Sequence, residues 1–144
     1  MTETFNGRKR IEAALKKQPL DRPAISGWRH MPLVDRDVEA FAEATIAFTD
    51  ENDWDLIKLM SQGQFFAEAY GTPITFSTDA KEWAGKILDY PIRSAEDLTR
   101  LVPLKADNPV IQREAAFAKK IVEHYKGEKV VVGTVFSPLS WVKQ

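Results

Sequence analysis

Trp28-Arg29-His30 sets an aromatic ring, a guanidinium and an imidazole side by side. A guanidinium presents a planar fork of donors and takes a carboxylate through two parallel hydrogen bonds. An imidazole changes charge near neutral pH and serves as a general acid or base. Further on, Lys58 interrupts the apolar run Trp54-Asp55-Leu56-Ile57-Lys58-Leu59-Met60. An ammonium in such a run must reach a binding site or a buried partner, because burying an unpaired charge is costly. Asp55 is the nearest acid, although strand alternation puts it on the opposite face. These residues suit chemistry on a small carboxylate, with Arg29 and Trp28 as candidate substrate-binding residues and His30 and Lys58 as candidate catalytic ones. Each also has a plainer reading. Arg29 pairs with Asp35, His30 bonds to loop backbone, or Lys58 snorkels along its strand.

Other chemistries have little support. The chain has no cysteine, so it offers no disulfide, thiolate nucleophile or Cys-based zinc site. His30 and His124 are its only histidines, and no metal-binding spacing joins them to other ligands. There is no glycine-rich phosphate loop. Twenty basic and 21 acidic residues leave a net charge of −1. That balance gives no electrostatic reason to bind nucleic acid or an anionic membrane. No apolar run approaches the ~20 residues that span a bilayer. The polar stretch Met1 to Arg10 has no apolar core of signal-peptide length, so a cytoplasmic location is expected.

The candidate residues must be held by a frame, and the pattern predicts one of strands alternating with helices. A first helix is expected over about 5–17, with Ile11, Ala14 and Leu15 inward, Arg8, Lys9 and Arg10 outward, and Pro19 ending it. Leu20-Asp21-Arg22-Pro23 reads as a structural turn tying that helix to the mouth of the fold. A short strand follows at about 24–28. Asp35 is the expected N-cap of a second helix reaching Glu51, whose inner face carries Val38, Phe41, Ala42, Thr45 and Phe48. A second strand covers about 54–60. Residues 61–93 read as an elaborated loop, with short strands open at 73–77 and 83–89. Phe65 and Phe66 there could line an apolar pocket but read better as core packing, and Trp54, Trp83 and Trp141 elsewhere read as packing. Ser94 caps a short helix. Asn108-Pro109 opens a longer one with Ile111, Ala115, Ala118, Val122 and Tyr125 inward, and Gly127 at its left-handed end. Lys129 to Val135 form a third strand. Its valines are apolar on both faces, which suits a parallel sheet covered on both sides. The fold class is therefore α/β, in one domain over 1–144.

Several of these segments, taken in order, carry a family resemblance. They are Arg8 to Leu15, Leu20-Asp21-Arg22-Pro23, Trp28-Arg29-His30-Met31-Pro32, Asp53 to Met60, Tyr70-Gly71, and Val132 to Leu139. This set resembles the N-terminal part of the uroporphyrinogen decarboxylase family, which includes relatives of corrinoid- and cobalamin-linked methyltransferases. The resemblance implies a (β/α)₈ TIM barrel, of roughly 250 residues, incomplete in this chain. It implies removal of carboxylate side chains from a tetrapyrrole or related small molecule, with Arg29 near the first arginine of a carboxylate-holding loop and no cofactor. Two positions depart from the decarboxylase pattern. No arginine stands near Leu33, and Lys58-Leu59-Met60-Ser61 lacks the aspartate expected at this strand's end. The alternative is a zinc-dependent corrinoid:thiol methyltransferase, with zinc ligands outside this chain. A second alternative is an inactive half-barrel that associates with a copy of itself or with a complementary C-terminal chain, since three parallel strands cannot close a barrel.

Overall fold

The computed structural model describes residues 4–82 and 84–143; Trp83, read above as packing, lies outside the described residues. Helix α1 spans Gly7–Leu15, with Asn6 capping through its side chain to the Lys9 amide. Its inward face is not the expected apolar stripe. Gly7 and Ala13 are buried, Leu15 is 80 % exposed, and Arg10 turns inward to two aspartates. The ion pairs set the rotation of this helix, overriding a weak apolar period. Gly7 is the close-packing point: a Cβ there would sit 2.7 Å from the Asp55 carbonyl oxygen.

No strand forms at 24–28, contrary to the sequence reading. The segment runs beside the next strand but shares one backbone bond with that region, from the Asp55 amide to the Ile25 carbonyl at 2.9 Å. Side chains replace the ladder. The Ile25 amide donates to the Asp55 carboxylate, and the Ser26 hydroxyl donates to the Leu56 carbonyl.

Helix α2 spans Val38–Glu51 and is capped by Asp37, which accepts from the Ala40 amide. The expected cap, Asp35, lies in a preceding turn whose amides fold back on Met31, and its side chain is buried. Strand β1 spans Leu56–Leu59 and α3 spans Phe65–Ala69. The irregular region then forms an antiparallel pair, β2 (Ile74–Thr75) with β3 (Lys86–Ile87), and a 3₁₀ turn at Glu96–Arg100. The expected cap Ser94 makes no capping bond to that turn; Asp97 inside it instead accepts from the Arg93 and Ser94 amides just before it.

Helix α4 spans Pro109–Tyr125. Asn108 caps it, Lys126 is the left-handed C-cap, and Gly127 follows with φ +87°. Its buried face is Phe117, Ile121 and Tyr125; Ala115 is exposed and Val122 is 52 % exposed. The true stripe is a strict four-residue spacing that the alanines obscured. Phe117 stacks on Phe41 at 4.1 Å, joining α4 to α2 over Ile57 of β1.

β4 (Val130–Gly133) pairs in parallel with β1, Leu56 opposite Val130 and Leu59 opposite Gly133. The α/β reading with parallel strands therefore stands at that level. Among the described residues no barrel closes. Val131 packs against the α2–α4 core, while Val132 on the other face is 38 % exposed. The valine run is thus covered on one face only. Helix α5 follows at Pro138–Val142, capped by Ser137. Among the described residues no helix is long and apolar enough to cross a membrane.

Candidate functional site at the C-terminal end of β1

Alternation along β1 sends Asp55, Ile57 and Leu59 one way and Leu56, Lys58 and Met60 the other. The strand's two ends hold different chemistry. At its N-terminal end, fully buried Asp55 accepts from Arg10 Nη1 at 2.9 Å, Arg22 Nη1 at 2.6 Å, Arg22 Nη2 at 3.1 Å and the Ile25 amide at 2.9 Å. The Asp21 carboxylate also accepts from Arg10 and the Asp53 carboxylate from Arg22, and the Phe5, Pro23 and Asp53 carbonyls accept from the same guanidiniums. Burial alone would raise the Asp55 pKa, but the Ile25 amide and the two arginines hold it below the ordinary carboxylate range. The Asp21–Arg22 turn is therefore structural, but it ties helix α1 to the N-terminal end of β1, opposite the mouth. Asp55 is committed there and does not pair with Lys58.

At the C-terminal end, Lys58 Nζ lies 4.1 Å from the Trp28 ring centroid, and the Trp28 and His30 rings meet edge to face at 5.8 Å. The structure thus brings Trp28, His30 and Lys58 together. Among the described residues no carboxylate lies within 4 Å of the Lys58 ammonium. Burial, and then the Lys58 charge, push the His30 pKa below its ordinary value. His30 opens on a cavity of about 240 Å³ formed by the Met60–Gly63 loop, Phe65, Thr134, Phe136 and Trp141. Gly27, just before this segment, admits the Trp54 ring: a Cβ there would fall 2.4 Å from it.

Arg29 is placed differently. Its guanidinium lies 5.9 Å from the Phe48 ring and lines a separate cavity of about 340 Å³ between the 31–34 loop and α2. It forms no ion pair with Asp35.

Phe65 and Phe66, read as core, are half-buried and line cavities instead. Phe65, Phe66 and Phe136 ring Trp141 at 4.8 to 5.3 Å. Sequence reading also passed over Ser61, Gln62 and Thr134 in the cavity wall. Apart from the loop position after a strand, these residues carried no local signal. His124 is an exposed helix residue against Tyr125, as expected.

Among the described residues no group of three or more His, Cys, Asp or Glu could hold a metal ion. These residues do not fit a zinc site.

No protein-family model matches the chain, and no curated protein does. Among solved structures, a methyltransferase from Methanosarcina mazei resembles it in fold, with a TM-score of 0.66 at 18 % identity. The alignment covers 96 % of this chain but 44 % of that one, so the chain spans less than half the length of the protein whose fold it shares.

Proposed function

We propose that this chain forms part of a methyltransferase-like α/β enzyme. It would bind an anionic small molecule, of the carboxylate class, at the C-terminal ends of β1 and β4. One observation carries the reading: a half-buried ammonium, Lys58, that meets an aromatic face and, among the described residues, no carboxylate within 4 Å. A bound anion completes that charge, and in a partly desolvated site such an interaction is strong. Trp28 holds the ammonium in place by cation–π attraction. The lowered His30 pKa favours the neutral ring, which can accept a proton such as the one a thiol releases when it takes a methyl group. Arg29 would extend the positive field toward the neighbouring cavity. The fold likeness to a methyltransferase favours this reading over decarboxylation. The strand end Lys58-Leu59-Met60-Ser61 also offers no acid to hold a pyrrole cation. The proposed barrel would be completed outside these residues, in a single-domain unit.

The test is calorimetric titration of the full chain with succinate, beside Lys58→Met. Saturable binding that the variant loses supports the reading. Equal affinity in both proteins overturns it.

A second reading is association. β4 pairs on one side only, and Val135 and Leu139 just beyond it are 90 % and 78 % exposed. A strand added beside β4, from a second copy or a complementary chain, would cover them. Sedimentation across a concentration series tests this; a monomer throughout would exclude the second copy.

A further inference from the structure

A buried polar side chain in the wall of the His30 cavity holds donors that no neighbour uses. Gln62 is 2 % exposed and lines that cavity. Its Oε1 accepts from the Gln64 amide at 2.9 Å. A backbone amide only donates, so this bond fixes which end of the Gln62 carboxamide is oxygen. Among the described residues Nε2 has no hydrogen-bond partner. A buried amide nitrogen without an acceptor costs free energy, and native structures rarely leave one so. Thr134 commits its hydroxyl proton to the Leu59 carbonyl at 3.3 Å, so it does not supply the same donor. Much of the remaining wall is aromatic. Trp141 meets Phe136 at 5.2 Å and 90°, and Phe65 at 5.3 Å and 76°, and all three line the cavity. Crossed rings offer faces and edges on which a further ring packs.

We propose that the cavity is a site for a single aromatic ring carrying a hydrogen-bond-accepting oxygen, and that Gln62 Nε2 is the donor that selects it. Phe65, Phe136 and Trp141 hold the ring, and the Gln62 amide holds the oxygen. An apolar wall with one fixed polar group is the usual make-up of a small-molecule site. The volume agrees. A cavity of about 150 Å³ already holds benzene, and this one has about 240 Å³, which leaves room for a substituent. Aromatic faces also attract cations. The unused Gln62 hydrogens argue against one here, and so does Lys58, whose ammonium lies over Trp28, the ring that meets His30. The ring site itself stands apart from Lys58. Narrowing its ligands to ring-bearing carboxylates rests on the anion-binding reading.

The test is a proton–nitrogen NMR titration of the full chain with acetophenone and, separately, with α-methylstyrene. The second molecule has a methylene where the first has the carbonyl oxygen. Neither is charged, so the outcome does not depend on Lys58; succinate has no ring and reports on Lys58 alone. Acetophenone should shift the Gln62 side-chain amide and the Trp141 indole signals saturably. It should bind about tenfold more tightly than its isostere, the worth of one hydrogen bond. Gln62→Glu keeps an oxygen for the Gln64 amide and removes the donor, so the preference for the ketone should vanish. Gln62→Met should lose it too. A wild type that binds neither molecule, or both equally, would overturn the proposal whatever the variants do. Either folded variant keeping the preference would overturn the role of Gln62, and an unmoved Trp141 would overturn the place of the ring.

Discussion

At the N-terminal end of β1 a fully buried carboxylate, Asp55, accepts four hydrogen bonds from two arginines and a backbone amide. Three residues along the same strand, Lys58 meets the face of Trp28 and, among the described residues, no carboxylate within 4 Å. A charge with all its partners is scaffold, because removing any partner leaves another charge buried and alone. A charge held half out of water without a counter-ion is a place for one to arrive. The two ends also differ in their walls. Backbone and salt bridges close the first, while loop and aromatic rings enclose open volume at the second.

The comparison breaks most visibly at Asp55. Asp55→Ala should cost about 3–5 kcal/mol of stability, as when one partner of a buried pair is removed. Urea unfolding would measure it, and a loss within about 0.5 kcal/mol, as at an ordinary surface site, would deny the end its structural role. Acid should attack the same end. Arg10 holds the Asp21 carboxyl down at about 2, and Asp55 is also lowered. The stability that these groups confer is complete above their unfolded values near 4 and is lost as pH falls through the folded ones.

Asp35 tests the opposite sign. Its pKa is raised to about 6, so its charge opposes folding as pH rises from about 4 to 7. Asp35→Asn should remove that decline, so the variant gains on the wild type by about 2–3 kcal/mol between those pH values. A constant difference across the range would mean that Asp35 is ionised without penalty.

The open end should respond in binding rather than in folding. Lys58→Met should cost about 1.5–3 kcal/mol of carboxylate affinity while unfolding changes by less than about 1 kcal/mol. Arg29→Ala should cost less affinity than Lys58→Met, since Arg29 faces the next cavity; an equal or larger loss would move the centre of the site toward α2.

Parts of this were plain in the sequence. Asn108-Pro109 and Gly127 mark the limits of α4 because caps are local chemistry. The strand alternation that separates Lys58 from Asp55 is also local. The failures share a cause in long-range contacts. Arg10 looked solvent-facing until Asp21 and Asp55 were brought to it. Residues 24–28 looked like a strand until side chains took over their pairing. Asp35 and Asp37 are equivalent as caps in sequence, and the turn at Met31 chooses between them. Phe136 and Trp141 reach the cavity only because β4 lies beside β1, and no local pattern in either segment announces that.

The most direct test of the open end is a proton–nitrogen NMR titration of the full chain with succinate at constant ionic strength. The account predicts saturable shifts at the Lys58 ammonium and the His30 ring, with Arg10 and Arg22 unmoved. Shifts confined to Arg10 and Arg22, or none at Lys58 and His30, would contradict it.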